Sequence, residues 1–226
     1  MTPGSAPGSS NRYQLGRPGR ARVHSVTLSM NVAPKQFRPA TRADLDALPP
    51  TWRGEILDGE LYAFPRPAAP HAHVETSVGA DLTHPFQRGR GGPGGWWILI
   101  EPGIQLPRAP EISPDLAGWR RERLVRLPRS APIEIVPDWV CEILSPGTRS
   151  YDMLVKRPFH AEIGVRHVWY IDPDARMLTV SRLEAGRWLE LGIFGGDQVA
   201  RAEPFDAIEI PLDSWWEGID TEAARG

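Results

Sequence analysis

Apolar residues recur in short, regular runs from about residue 39 onward, whereas residues 1–38 show no apolar period. This first segment is rich in Gly, Pro, Ser and Arg, a composition that is typical of a disordered chain. We therefore expect a disordered tail at residues 1–38 and one folded domain at residues 39–226. Met30 stands just before the apolar pattern begins, so Met1 and Met30 are alternative starts of the functional chain.

The first half of the folded part is predicted to form a short helix, a β-hairpin and a longer helix. An N-cap residue at its start and two prolines after its end indicate a helix over residues 41–48. The Asp58-Gly59 pair between the two alternating runs of GEILDGELYAF predicts the hairpin. A stiff Pro-rich linker follows at 65–70, and apolar positions then recur at helical spacing over residues 71–86.

The second half is predicted to be mainly strands. The apolar runs WWILIEP, PDLAGWR, DWVCEIL and RHVWYID are typical of buried strands, and residues 104–106 are expected to extend their sheet. A helix is indicated over residues 150–163, with a kink at Pro158. MLTVSRL and GRWLELGIF predict a closing hairpin, and Trp215-Trp216 is expected to pack back on the body. This order of elements predicts a single mixed α/β layer structure.

Composition narrows the class of protein. The chain of 226 residues is 41% hydrophobic and has nine tryptophans, enough for a sizeable core, and no apolar run is long enough to span a membrane. The net charge of −2 gives no global attraction to nucleic acid, so a polyanion has to be held by local patches. Cys141 has no partner in the chain, and the N-terminus has no apolar signal segment, so a reducing, cytoplasmic setting is expected.

Asp115 and Glu142 are the candidate catalytic acids. Strand alternation places Asp115 on the same face as Trp119, and Glu142 on the same face as Val140 and Leu144. Two carboxylates on strands of one sheet suffice to hold Mg²⁺ or Mn²⁺, the ions that phosphodiester hydrolysis uses to stabilise charge and activate water. The alternative for each acid is an ordinary ion pair with an arginine. An unpaired charge in the middle of DWVCEIL is costly, so Glu142 needs a metal, a cation or a raised pKa.

Lys156 is the candidate catalytic cation. Apart from Lys35 it is the only lysine, and all other basic residues are arginines. A coding bias towards arginine explains the trend, but a site that requires the compact point charge of lysine would resist it. Lys156 would then orient the attacking water or offset charge on the phosphate. Because Asp152 and Lys156 are four residues apart, the alternative is a surface helix ion pair worth about 0.3–0.5 kcal/mol.

Other polar residues are candidates for supporting roles, namely Glu101, Asp152 and His71. Glu101 ends a predicted strand and is either a third acid of the site or a strand-to-turn residue. His71 begins a predicted helix, where a capping or surface position is expected rather than a metal ligand, because its spacing to His73 matches no zinc motif.

Arginines follow the Asp115 strand closely, and Arg120, Arg121 and Arg123 are candidates for contacts with a phosphate backbone near the acids. The alternative is a solvated loop. Two other chemistries lack support in the sequence, since GRGGPGG lacks the lysine and hydroxyl residue of a phosphate-binding loop and Ser145 lacks the G-x-S-x-G setting of a serine hydrolase.

Pro114-Asp115, Glu142 and Lys156 together resemble the site of the PD-(D/E)XK nuclease superfamily. Within it the chain is similar to the Uma-two family of bacterial restriction endonucleases, a domain-of-unknown-function group. The similarity covers residues 39–216 and is carried by EILDGEL, GGWWILIEP, PDLAGWRRERL, CEILSPGTRSYDMLVK and GVRHVWYIDP.

This resemblance implies an α/β (α+β) fold with a restriction-endonuclease-like core, in which a mixed central β-sheet is flanked by helices. It also implies a divalent metal held by Asp115 and Glu142, DNA as the partner, and a cytoplasmic homodimer. One position departs from the superfamily pattern. The usual lysine lies two residues after the second acid, where this chain has Leu144, so Lys156 on the following helix would be its replacement.

Three hypotheses about function follow. The first is a magnesium-dependent DNA endonuclease with Asp115, Glu142 and Lys156 as its site. The second is a catalytically inactive module of the same fold that binds nucleic acid or a partner protein independently of magnesium. The third is an accessory protein with no site of its own.

Overall fold

The computed structural model describes residues 23–25, 38–129 and 132–219. Most of the predicted disordered tail, together with Met1 and Met30, lies outside these residues. Three tail residues, Val23–Ser25, form a strand that pairs in parallel with Leu61–Ala63.

The elements follow one another as a mixture of strands and short helices. In chain order they are β1 (Val23–Ser25), α1 (Arg42–Asp46), β2 (Trp52–Leu57), β3 (Glu60–Pro65), α2 (Ala69–Leu82), a first π-helical turn (Thr83–Gln87), β4 (Trp96–Ile100), β5 (Ile104–Leu106), β6 (Ala109–Ile112), β7 (Leu116–Arg120), β8 (Trp139–Ile143), α3 (Arg149–Tyr151), a second π-helical turn (Asp152–Lys156), α4 (Arg157–Glu162), β9 (His167–Asp172), β10 (Met177–Glu184), β11 (Arg187–Gly195), β12 (Val199–Ala200), β13 (Ile210–Pro211) and α5 (Asp213–Trp216).

A six-stranded mixed sheet in the order β11-β10-β9-β8-β7-β4 forms the centre of the molecule. Only β8 and β9 are parallel, and the helical segment α3–α4 makes the crossover between them. All five residues of β8 are buried, as its nearly continuous apolar run predicts for a strand that is covered on both faces. The predicted mixed α+β architecture is confirmed.

The two faces of the central sheet carry two different cores. One face packs against α2 and the C-terminal segment, and this cluster includes Trp139, Trp169 and Phe205. The predicted packing of Trp215 and Trp216 on the body is confirmed, because both side chains are buried in this cluster. The other face packs against α4 and the second sheet, through a cluster that includes Trp119, Val140 and Phe159.

A second sheet, in the order β1-β3-β2-β6-β5, lies against this other face. The predicted hairpin is confirmed as β2 and β3, with Asp58 and Gly59 in the turn. The expectation that residues 104–106 extend the central sheet is wrong, because β5 pairs with β6 in the second sheet. The sequence gives no strand signal for β6, since Pro110 removes one backbone donor from it.

The crossover segment after β8 bends away from regular α-helix in its middle. Its second π-helical turn spans Asp152–Lys156, immediately before the predicted kink residue Pro158. Pro158 lies in the first turn of α4, directly after the π-helical turn, and has no N–H to donate to that turn. No helix among the described residues is long and apolar enough to cross a membrane.

Candidate active site

Asp115 and Glu142 are neighbours on adjacent strands. Asp115 directly precedes β7, and because Leu116 pairs with Cys141, the antiparallel register places Asp115 opposite Glu142. The Asp115 Oδ2 atom accepts a hydrogen bond from the backbone N–H of Ile143 at 2.7 Å. Both side chains are buried. The structure therefore brings the two predicted acids together on one face of the central sheet.

Lys156 reaches Glu142 from the crossover segment. Its Nζ atom lies 2.7 Å from Glu142 Oε2 and 3.9 Å from Asp152 Oδ1. All three side chains are buried, so the alternative of a surface ion pair between Asp152 and Lys156 is wrong. The i, i+4 spacing places Asp152 next to Lys156. Because the segment packs on β8, Lys156 also forms an ion pair with Glu142 of that strand.

His160 holds the other oxygen of the same carboxylate. Its Nε2 atom lies 3.0 Å from Glu142 Oε1, within hydrogen-bond distance. Burial lowers the pKa of His160 to about 3, so the ring is neutral at physiological pH. Asp152, Lys156 and His160 lie four residues apart, a helical spacing that the sequence does show.

Glu55 and Tyr151 complete the surroundings of Lys156, and the sequence gives no direct indication of either. Glu55, on β2 of the second sheet, lies 3.5 Å from Lys156 Nζ through Oε1. The Tyr151 hydroxyl donates to Glu55 Oε2 at 2.7 Å, and the backbone N–H of Ser113 donates to Glu55 Oε1 at 3.2 Å. The second sheet therefore contributes an acid to the face that carries Glu142.

Arg53 and Glu101 lie beside Asp115. Arg53, two residues before Glu55 on β2, donates to Glu101 Oε1 at 2.8 Å and lies 3.4 Å from Asp115 Oδ1. Glu101 thus lies near the acids, as one of its two interpretations predicted. His71 is not a surface residue, because its side chain is buried and its Nε2 lies 3.2 Å from Asp115 Oδ2.

Carboxylates outnumber cations in this network, and the pKa values reflect the imbalance. Burial, together with the charges of Asp115 and Glu55, raises the pKa of Glu142 to about 8. Burial alone would lower the pKa of Lys156, but Glu142 and the other surrounding carboxylates outweigh it and raise the pKa above its ordinary value. Lys156 is therefore a permanent cation at physiological pH.

Glu75 of α2 is a further buried acid at this site. Its Oε1 atom has no hydrogen-bond partner within the described part of the chain. Burial, followed by the charges of Asp115 and Glu101, raises the pKa of Glu75 to about 7. Asp115 differs, because His71, Lys156 and Arg53 hold its pKa below the ordinary value despite its burial.

The stability of the metal-free protein is expected to fall as pH rises from about 4.5 to about 7. Over this range native Glu75 keeps its proton while the unfolded chain has lost it, so the native state binds more protons. Glu75→Gln removes this contribution, and we expect the variant to gain on the order of 2 kcal/mol relative to wild type between pH 5 and pH 8. Urea unfolding in EDTA measures the difference, with the exposed Glu190→Gln as control; parallel pH profiles of wild type and Glu75→Gln would contradict the expectation.

The donor chemistry of this site fits a hard divalent cation. Buried carboxylates exceed the cations available to neutralise them, and Glu75 Oε1 is left without a partner. Among residues 38–129 and 132–219, however, no three His, Cys, Asp or Glu side chains converge closely enough to form a metal cage by themselves. The arrangement therefore fits an ion that takes one or two carboxylates and keeps several waters, as Mg²⁺ does.

The predicted position of the arginines next to the acids is wrong. Asp115 precedes the first residue of β7 and Arg120 is its last, so about 16 Å of extended strand separates them. Contacts inside the fold hold all three arginines, since Arg120 and Arg121 stack on Trp96 and Trp97, and Arg123 pairs with Asp138. They lie at the opposite end of the strand because the chain turns only after crossing the sheet.

Comparison with known proteins finds a matching family and similar solved structures. The sequence profile of the Uma2 family, described as "Putative restriction endonuclease", matches residues 42–213. Among solved structures, the chain is similar to "a putative nuclease belonging to DUF820" from Anabaena variabilis ATCC 29413, with a TM-score of 0.60 and 20% identity over 79% of this chain and 98% of that chain. At this identity the likeness shows a shared fold. No curated protein matches the chain.

Proposed function

The chain belongs to the Uma2 family, whose profile covers more than half of its 226 residues, and we propose that it is a magnesium-dependent endonuclease that hydrolyses phosphodiester bonds in DNA. The observation that supports this most strongly is the buried contact of 2.7 Å between Lys156 Nζ and Glu142 Oε2, with Asp115 opposite Glu142 in the sheet. Two acids on adjacent strands can hold a divalent ion, and a lysine beside them can offset charge that develops on a phosphate.

Asp115 and Glu142 would hold the ion, Mg²⁺ or Mn²⁺. When bound, the ion supplies Lewis acidity and a more acidic water. Hydrogen bonds from neighbouring groups hold the two proposed ligands in position. The amide of Ile143 fixes one oxygen of Asp115, and His160 fixes one oxygen of Glu142.

Lys156 acts as a hydrogen-bond donor rather than as a base. Its pKa is raised by the surrounding carboxylates, so it cannot accept a proton from water at physiological pH. An ammonium fixed by Glu142 can orient the attacking water and offset the charge that develops on the phosphate. The proposed site therefore uses a lysine that comes from the crossover segment, in place of one at Leu144.

The same proposal includes a cytoplasmic homodimer acting on duplex DNA, as the family resemblance implies. Light scattering after size-exclusion chromatography tests the oligomeric state.

Cleavage of a supercoiled plasmid tests the proposed function. We expect wild-type protein to nick and linearise the plasmid with Mg²⁺ or Mn²⁺ and to leave it intact in EDTA.

Ca²⁺ at 100 times its dissociation constant is expected to stabilise the fold by about 2.7 kcal/mol, and Asp115→Asn is expected to abolish this gain. Cleavage that is unchanged by EDTA, or equal stabilisation of both proteins by Ca²⁺, would contradict the proposal.

A further inference from the structure

The acids of the site differ sharply in how far solvent reaches them. The side chains of Glu142, Lys156 and His160 are 1%, 4% and 2% exposed, and that of Asp115 is 5% exposed. Exposure then rises outward along the same network, to 27% for Arg53 and 46% for Glu101. A substrate that approaches the buried acids from this side therefore meets Arg53 and Glu101 first.

The guanidinium of Arg53 is held by two carboxylates, and one of them is exposed enough for another anion to replace it. One nitrogen, Nη1, donates to Glu101 Oε1 at 2.8 Å, and the other, Nη2, lies 3.4 Å from Asp115 Oδ1. The planar fork thus bridges an exposed carboxylate and a buried one. Two nitrogens of the same fork also match two oxygens of a phosphate, which is why arginine is favoured at phosphate contacts.

Glu101 is held beside Arg53 in an unfavourable backbone conformation. Its φ angle is +43°, in the left-handed region that non-glycine residues rarely adopt, and its N–H donates to the backbone oxygen of Asp115 at 2.8 Å. Such conformations persist only where the surrounding structure enforces them, and they are enriched at functional sites. Here the conformation places an exposed carboxylate beside Arg53 Nη1.

We propose that Arg53 is the residue that binds the substrate phosphate at the entrance of the site, and that Glu101 holds its guanidinium until a phosphodiester oxygen replaces the Glu101 carboxylate. This inference rests on the proposed action on DNA, but not on cleavage. Arg53 is a substrate-positioning residue, since it brings the phosphate within reach of Asp115 and Glu142. The side chain of Glu101 competes with the substrate for the same donor.

Binding of a short labelled DNA duplex in Ca²⁺, measured by fluorescence anisotropy over a series of salt concentrations, tests the role of Arg53. We expect Arg53→Gln to raise the Kd about tenfold and to reduce the slope of log K against log salt by about 0.9, the loss of one phosphate contact. Arg53→Lys keeps the charge but not the fork, so an intermediate Kd with an unchanged slope is expected.

Glu101→Gln tests the proposal with less disturbance of the site than Arg53→Gln, because it alters an exposed side chain and leaves Asp115 its partners. We expect it to lower the Kd about threefold to tenfold, as Arg53 is no longer held by a competing charge. The double variant with Arg53→Gln separates this effect from a general loss of negative charge. If Glu101 acts through Arg53, its replacement changes nothing once Arg53 is gone.

Arg182 and Glu184 provide a matched control pair. Their side chains form a 2.6 Å ion pair with exposures of 36% and 51%, on β10 of the central sheet. Arg182→Gln and Glu184→Gln are expected to leave the Kd within about twofold of wild type.

The outcomes separate this inference from the proposed function. Two results would overturn the role of Arg53 and leave the nuclease proposal standing. One is a salt slope in Arg53→Gln equal to that of wild type. The other is a tighter Kd from Glu101→Gln that persists in the double variant. No binding of DNA by the wild type overturns both. Binding that depends on Arg53 without any cleavage in Mg²⁺ supports this inference and contradicts the nuclease proposal.

Discussion

Glu142→Ala is expected to reduce plasmid cleavage in Mg²⁺ by about 10²–10³-fold or more, because it removes a proposed metal ligand and the anchor of Lys156 together. Glu142→Gln is expected to lose nearly as much activity, although it keeps the size of the side chain. Its neutral amide is a poorer ligand for a cation than a carboxylate, and only one of its two terminal atoms can accept the hydrogen bond from Lys156. Initial rates of nicking over a range of protein concentrations measure both variants.

Asp138→Asn is the matched control for Glu142. Asp138 is just as buried and lies at the other end of the same strand, where it pairs with Arg123 at 2.6 Å and accepts from the backbone N–H of Arg120 at 2.9 Å. Its replacement is expected to lower the melting temperature and leave the cleavage rate of the folded fraction unchanged. Equal residual nicking by wild type and Glu142→Ala would show that the activity does not arise at this site.

The centre of the site could be predicted because each member carries a local signal. An acid in the middle of an apolar strand requires a partner, and Glu142 has two in the structure. The rarity of lysine singled out Lys156. The family resemblance predicted from these residues is confirmed by a profile match at 42–213, close to the expected 39–216. These features depend on chemistry within one strand and the segment that follows it.

The rest of the site depends on tertiary structure that no local pattern specifies. Glu55 belongs to the hairpin that the sequence predicts and Arg53 lies just before that predicted segment, but alternation does not tell which face of a hairpin packs against which sheet. Glu75 looks like any polar residue of an amphipathic helix until burial and two neighbouring acids raise its pKa. His160 is the exception, because its spacing of four residues from Lys156 is visible in the sequence.

The second sheet was missed for a related reason. Pro110 in β6 and the three-residue length of β5 weaken the strand pattern, so β5 was assigned to the central sheet. Similarly, the sequence predicted arginines near Asp115 because they follow it closely along the chain. An extended strand carries them to the far end of the sheet instead, where Trp96 and Trp97 hold them. Proximity in sequence along a strand predicts separation rather than contact.

Lys156→Met is expected to destabilise the fold by about 3–5 kcal/mol at pH 8, since it leaves several buried carboxylates without their shared cation. The nearest of these, Glu142, loses a contact of 2.7 Å, and Glu55 and Asp152 lose the same ammonium. Burial already raises the pKa of Glu142 to about 8 with Lys156 present, and removal of the cation raises this pKa further.

The defect of Lys156→Met is therefore expected to depend on pH. Above the unfolded pKa near 4.5 the native variant binds more protons than the unfolded chain, so its stability falls as pH rises towards 8. In wild type this decline ends near pH 8, where Glu142 ionises beside Lys156, so the gap between the two proteins widens above pH 8. Urea unfolding at pH 7 and pH 9.5 measures this widening. Glu142→Gln added to Lys156→Met should recover part of the loss at pH 8, because it removes the cost of keeping a buried carboxyl protonated when the unfolded chain has released that proton. A gap that is constant with pH, or no recovery in the double variant, would mean that Lys156 contributes packing rather than charge to this site.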